Sequence, residues 1–400
     1  MKRTFHSLQI RDYRWFWIGM VASFNAMQMQ VVARGWLVYE MTDSAFALGG
    51  VTAALGIAIL IVSPIGGVVA DRVEKRNLLI LTQGSIMLIT LILAVLISTE
   101  KVQYWHLIAS AIATGVIYSF NMPGRQAFIP ELVGEEDLMN AVALNSAGMN
   151  LTRILGPALA GILMGLIDVA GVYYVVAACY IVVIATLLTI PPSGSTATRV
   201  RTPMLTDLWE GVTYIRHNPT VTMLLAAALA TVLFGMQYQT FMPIFARDIL
   251  QVGASGLGWL MALSGVGALL GSLAVASLTD YEHKGWLLLG AGLLFGIALI
   301  LFSLSRSFYA SLVILMAVGA GGIGYMAINS TLIISSVPHE VRGRVMSVYL
   351  MTFGLNPLGA LPAGAIANMW GAPLAIGLGG AILLVFFVRM GLTQSRLREL

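Results

Sequence analysis

Charged side chains are what this chain has least of. They make up 10% of its 400 residues, where a soluble domain carries roughly 25%. With 58% hydrophobic residues and a mean hydropathy of +0.88, its apolar surface is too large for one water-exposed core, so the bilayer is its solvent. Cysteine is nearly absent. Cys179 stands alone, which excludes a disulfide framework and any cysteine metal site, and it reads as a small apolar residue in a span. No G-x-x-x-x-G-K-[ST] motif occurs, so ATP does not drive the chain directly. No metal-binding or nucleophile constellation appears, so neither an enzyme nor a cofactor is expected. The net charge of +4 and pI near 9.2 do not signal nucleic acid, because Lys and Arg are scattered at helix ends rather than clustered.

Long apolar runs are abundant. Spans are expected at 13–39, 46–70, 78–98, 104–125, 138–166 and 169–190, then at 220–246, 255–278, 286–304, 308–332, 345–369 and 372–390. The run from Tyr13 to Tyr39 is too long for a signal-peptide core and reads as a first transmembrane helix. Between the sixth and seventh spans, 191–218 is polar. Leu205, Leu208, Trp209, Val212 and Ile215 repeat there at helical spacing, as in an amphipathic helix lying at the interface. Twelve spans put both termini on one side. That side collects nearly all the cations, including Arg11, Arg72, Lys75, Arg76, Arg125, Lys284, Arg342, Arg344 and Arg389. Only Lys101, Arg247 and Arg306 fall opposite. The positive-inside rule then makes the termini cytoplasmic.

The two halves align without gaps at an offset of 209. Met27-Gln28-Met29-Gln30 falls on Met236-Gln237-Tyr238-Gln239, Gly49 on Gly258, and Asp71 on Asp280. The expected architecture is therefore an all-α membrane protein of twelve transmembrane helices in two pseudo-symmetric six-helix bundles. The first bundle is 1–190, the linker 191–218 and the second bundle 219–400. This is the plan of a secondary transporter with its site between repeats near mid-membrane.

The turn Gly67-x-x-x-Asp71-Arg72-x-x-Lys75-Arg76 resembles the signature loop of the major facilitator superfamily, and Asp280 with Lys284 resembles a worn copy of it. Trp36-Leu37-Val38-Tyr39 with Thr42-Asp43-Ser44, Gly156-Pro157-Ala158-Leu159-Ala160-Gly161, and Arg342-Gly343-Arg344 look like the drug-antiporter branch that includes the enterobactin exporter and macrolide efflux proteins. Glu74 departs from the signature's usual glycine, and Met27 stands where many relatives carry an acid. The resemblance implies that Asp71 docks at the N-terminus of helix 11, near Arg342–Val345. A carboxylate there gains about 0.3–1 kcal/mol from the helix dipole. Gly67, Asp71, Arg72, Lys75, Arg76, Asp280, Arg342 and Arg344 form the implied gating set. The resemblance also implies a cavity lined by helices 1, 4, 7 and 10, hence Asn25, Gln28, Tyr118, Asn121, Gln237, Tyr238, Phe241, Tyr325 and Asn329.

Two arginines lie within spans. Arg34, about four residues from the outer end of the first, reads as cavity-facing or as snorkelling to that interface. Arg153 shares a face with Ser146, Asn150 and Pro157. It reads either as a counter-charge for an anionic substrate or as a structural cation bonded to carbonyls freed around Pro157. The lining residues themselves read equally as polar contacts between helices. Gln28 and Gln30 lie about 200° apart on a helix, so only one can face a cavity. Asn356-Pro357 and Pro362 predict a kink in the eleventh span.

The expected function is export of small amphipathic molecules, drug-like compounds or siderophores, by alternating access against proton entry. The transporter would work as a monomer in the lipid bilayer. Coupling through Asp71, Asp168 or another helix-end acid stays open. So do a nutrient importer or lysolipid flippase of the same plan and, from another class, a membrane receptor, which predicts a soluble output domain.

Overall fold

The computed structural model describes residues 6–192, 212–278, 281 and 283–394, without the side chains of Asp71, His339 and Glu340. Among these the chain is helical throughout. Nine helices are long and apolar enough to cross a membrane, one of them 85 residues long. A short turn, His6–Gln9, precedes α1 (Arg11–Thr42), α2 (Ala45–Arg72) and α3 (Lys75–Ser98). Tyr104–Leu188 is continuous by hydrogen bonding, but its backbone leaves helical geometry at Gly134 (φ 71°) and at Ile167–Asp168. These breaks divide it into α4 (104–133), α5 (135–166) and α6 (169–188). Then come α7 (Pro219–Ile249), α8 (Gly253–Ser277), α9 (Lys284–Leu304), α10 (Phe308–Ser336), α11 (His339–Gly354 with Asn356–Trp370) and α12 (Ala372–Thr393).

Three elements differ from the sequence expectation. The fourth span does not stop at 125. It continues until Gly134 takes a positive φ, a conformation that glycine adopts without steric cost. The seventh is not one regular helix: Thr231–Gly235 and Phe245–Ile249 are π-helical around a short α segment, Tyr238–Ile244. The eleventh starts six residues earlier than expected, at His339, and breaks at Leu355, directly before Asn356-Pro357. The break lies where proline removes a donor and crowds the preceding turn. Of the expected interfacial helix, residues 212–217 are helical and the rest lies outside the described residues. The Asn218 side chain then caps α7 by accepting from the Val221 amide at 3.2 Å.

The chain forms two compact units that do not coincide with its halves. One comprises Met1–Asp43, Ala54–Arg199 and Gly253–Ala262; the other comprises Ser44–Ala53, Val200–Val252 and Leu263–Leu400. Shifted by the repeat offset of 209, Ser44–Ala53 becomes Gly253–Ala262, so the segment each unit takes from the opposite half is the same repeat position.

In the first unit α1 lies against α5. Tyr13 Oη donates to the Ala141 carbonyl at 2.7 Å, and Trp17 Nε1 to that of Leu144 at 3.0 Å. Tyrosine and tryptophan fit this interior because each buries a ring and still pairs its donor. Residues 253–262 pack on α5 through glycine: a Cβ on Gly258 would lie 2.7 Å from Gly161 Cα and 2.8 Å from the Pro157 carbonyl. In the second unit, Gly49 meets the Ala360 carbonyl, 2.7 Å from where its Cβ would be, and Ser44 Oγ donates to Asn368 Oδ1 at 3.1 Å. Phe245 stacks on Phe302 with centroids 4.4 Å apart, and Tyr325 meets Phe387 edge-on at 5.2 Å. Gly319 and Gly321 back onto Ser264 and Phe295 between helices. Small residues at such contacts let helix backbones approach where no hydrophobic force drives them together.

Candidate functional site

The turn between α2 and α3 is held inside the first unit by its cations. Lys75 is buried, 4% exposed, with Nζ 3.4 Å from Glu131 Oε1 near the end of α4. Arg76 donates from Nε to the Leu187 carbonyl at 3.0 Å and from Nη2 to that of Leu188 at 3.2 Å. The last carbonyls of a helix have no intrahelical donor and carry its negative dipole end, so a guanidinium there serves both needs. Arg72 is exposed, and the space a Cβ would take at Gly67 is empty. Both carboxylate oxygens of Glu74, the residue preceding α3, are buried without a hydrogen bond. Asp71 is the penultimate residue of α2. Asp280, the expected second copy, lies outside the described residues. In the second unit Arg342 donates from Nη2 to the Val337 carbonyl at 3.4 Å, while its Nε is buried and unpaired; Arg344 is half-buried and engaged.

Replacing Arg76 by alanine strands the two α6 carbonyls. We expect it to cost about 2 kcal/mol and to lower the thermal midpoint of the detergent-solubilised protein. Arg76→Lys should recover less than half of the loss, because one ammonium does not reproduce the fork.

The expected lining residues divide by burial. Asn121, Gln237, Tyr238, Phe241, Tyr325 and Asn329 are buried among helices in this structure, whereas a lining role needs atoms that face open space. Most have helix partners instead. Asn121 Nδ2 donates to Thr82 Oγ1 at 2.7 Å, Gln237 Nε2 to Asn356 Oδ1 at 3.1 Å, and Asn329 Nδ2 to the Leu224 carbonyl at 3.2 Å. Tyr238 Oη and Ser264 Oγ are 2.9 Å apart. Asn25, Gln28, Tyr118 and Arg153 keep open surface. Gln28 lies beside Gly156 of α5, whereas Gln30 is buried and donates to Thr90 Oγ1 at 3.2 Å. Arg153 is exposed and forms no hydrogen bond or ion pair among the described residues, so the carbonyls near Pro157 do not hold it. It lies about 160–200° around α5 from the exposed Leu151, Leu155 and Ile162, away from the stripe suited to lipid.

Tyr118 opens onto a cavity of about 300 Å³ between α1, α2 and α4. Met27, Val31, Leu55, Ile59 and Met122 give it an apolar wall, and Arg34 is the one charged residue lining it. A second cavity of about 430 Å³ has Glu40, Glu100 and Asp168 at its edge. Asp168 holds φ 59° and accepts from the Gly171 amide at 3.0 Å, capping α6.

The sequence counts Arg125 among the cations of the cytoplasmic side and gives it no further role. It is buried, donates from Nε to Asn121 Oδ1 at 3.0 Å and from Nη2 to Ser23 Oγ, and stands 4.7 Å over the Phe24 ring. Glu131 was missed as well: its partner Lys75 is 56 residues away, and no local pattern joins them.

A many-helix chain with an apolar, methionine-bearing cavity inside one compact unit has the makings of a multi-pass membrane transporter. The family model described as a transmembrane secretion effector, a group of major facilitator transporters, matches residues 2–400, and the chain belongs to that family. It is 25% identical over 342 residues to the staphyloferrin A transporter of Staphylococcus aureus, covering 85% of each chain. It is 26% identical over 389 residues to the enterobactin exporter EntS of Shigella boydii serotype 18, covering 94% of this chain and 92% of that one. Its fold matches the crystal structure of a bacterial homolog to the human lysosomal transporter Spinster, with a TM-score of 0.78, 15% identity and coverage of 97% and 98%. The protein is thus a transporter of small molecules embedded in lipid, and not an enzyme.

Proposed function

We propose that the chain exports small amphipathic molecules, drug-like compounds or siderophores, from a bacterial cell by alternating access driven by proton entry. The observation that carries this reading is the 300 Å³ cavity, in a chain whose family match runs end to end. Flexible methionines and one aromatic ring suit ligands recognised by shape. Two relatives named as transporters of siderophores agree with it.

Twelve helices in two bundles, 1–190 and 219–400 around a cytoplasmic linker, fit the breaks at Gly134 and Ile167–Asp168 and the exchange of repeat-equivalent segments. The Lys and Arg distribution supports cytoplasmic termini in the inner membrane, and the protein works as a monomer. Asn25, Gln28, Tyr118 and Arg153 offer the substrate open surface. Asn121, Gln237, Tyr238, Phe241, Tyr325 and Asn329 support the helices that carry it. Gly67, Asp71, Arg72, Lys75, Arg76, Asp280, Arg342 and Arg344 govern gating, with Asp71 as the latch.

A panel of fluorescent dyes in efflux-deficient cells tests the proposal. Expression should lower accumulation of at least one dye, and a protonophore should restore it. Asp71→Asn should abolish the effect. If no dye responds, multidrug export fails; efflux that survives collapse of the proton gradient refutes antiport.

Proton entry is assigned to the acidic edge of the second cavity. Asp168→Asn, which keeps the cap on the Gly171 amide, should remove the protonophore-sensitive part of efflux with little change in the thermal midpoint. Unchanged efflux would move coupling elsewhere.

A further inference from the structure

Among the described residues of the first unit, two arginines are buried without a carboxylate partner, and they differ in what surrounds them. Arg125 is occupied. Asn121 and Ser23 accept from it and Phe24 lies beneath it, its Nη1 is sealed without a partner, and a space of about 10 Å³ beside it holds one water at most. Arg34 is 7% exposed, yet none of its five N–H donors meets an acceptor among the described residues. Its nitrogens are not among the sealed, unpaired atoms, so they open onto the 300 Å³ cavity that it lines.

Snorkelling does not account for it. The first helix runs to Thr42, so Arg34 lies eight residues, about 12 Å, short of the end. A guanidinium in a membrane span normally pairs or faces a cavity, because leaving it bare costs several kcal/mol. Arg34 has the cavity and lacks the pair. No carboxylate lines the pocket. Apart from Ser63, Tyr118 and Ser119, the remaining wall is apolar.

We infer that this cavity is a subsite for amphipathic organic anions. The acidic group of the ligand, a carboxylate or a comparable oxyanion, pairs with Arg34, and its apolar body lies among Met27, Val31, Leu55, Ile59 and Met122. The inference rests on the transporter reading and narrows its substrate class. It makes Arg34, rather than the exposed Arg153, the primary counter-charge. The planar fork of arginine fits two oxygens at once, and charge-assisted hydrogen bonds of this kind are roughly twice as strong as neutral ones. A neutral analogue of the same shape should therefore bind about tenfold more weakly.

The test uses purified full-length protein in neutral detergent and follows the thermal midpoint against concentration of 1-naphthoate and of its neutral analogue 1-naphthamide. Wild type should bind the acid at least about tenfold more tightly than the amide. Arg34→Gln should remove that preference and leave amide binding in place, whereas Arg34→Lys, which keeps the charge without the fork, should retain part of it. The lysine variant also decides the case if the glutamine variant does not fold, because an undiminished acid preference there would deny the fork its role. Equal binding of acid and amide, no binding of the acid, or an acid preference that persists in Arg34→Gln would overturn the inference. Its failure is separable from that of the export reading. Dye efflux without acid preference removes only the anion site, and acid binding without efflux of any dye removes only export.

Discussion

Replacing Gly258 by leucine is expected to bring dye export to background and to lower the thermal midpoint by several degrees. A Cβ at this position lies 2.7 Å from Gly161 Cα, 2.8 Å from the Pro157 carbonyl and 3.1 Å from the Gly161 amide nitrogen. These are backbone atoms of a helix, so no flexible side chain can give way. Overpacking typically costs about 1–3 kcal/mol, and a rigid backbone contact belongs at the upper end. Gly49 occupies the same repeat position and makes the corresponding approach to the Ala360 carbonyl at 2.7 Å, so Gly49→Leu should act in the same direction. Gly290→Ala is the control, because nothing lies within 4 Å of the added methyl. Wild-type export and stability in Gly258→Leu would mean that the segment 253–262 need not pack on α5 for transport.

The second large effect concerns the ion pair under the α2–α3 turn. Lys75 and Glu131 side chains are 5% and 18% exposed and 3.4 Å apart. Removing one partner leaves the other charge poorly hydrated, and breaking such a pair costs about 3 kcal/mol. Glu131→Gln should therefore destabilise strongly and Lys75→Met somewhat less, because the carboxylate that Lys75→Met leaves behind retains more contact with water. The double variant should be less destabilised than the sum of the two, with a coupling above about 1 kcal/mol. Thermal unfolding of the four proteins in detergent provides the measurement. Additivity within about 0.5 kcal/mol would mean that the two residues act independently.

Apolar runs and turn chemistry are strong signals in a membrane chain. Spans must be about 20 residues long and their backbone bonds must be internal, so most helix ends in this protein were legible to within a few residues, the end of α4 and the start of α11 being exceptions. The break at Leu355 was legible because Asn356-Pro357 has a local mechanism. The π-helical turns of α7 were not, because an apolar stretch such as Thr231–Gly235 carries no mark of i→i+5 bonding. At the candidate site, helical spacing groups residues into a stripe but does not say what the stripe meets. Tyr118, Asn121 and Arg125 share one stripe, yet Tyr118 borders the cavity while Asn121 and Arg125 tie α4 to α3 and α1. Arg34 shows the same limit: its depth depended on where α1 ends, and its lack of an acceptor depends on neighbours up to 90 residues away in sequence. Glu131 was invisible for the same reason.

The most direct test is flux through purified protein in sealed liposomes with an imposed proton gradient. A dye exported in cells is loaded on the face corresponding to the cytoplasm. Dye should accumulate on the opposite face only while protons flow inward, dissipating the gradient should stop it, and Asp71→Asn should abolish it. Gradient-independent movement of the dye down its own concentration, unaffected by Asp71→Asn, would contradict proton-driven export.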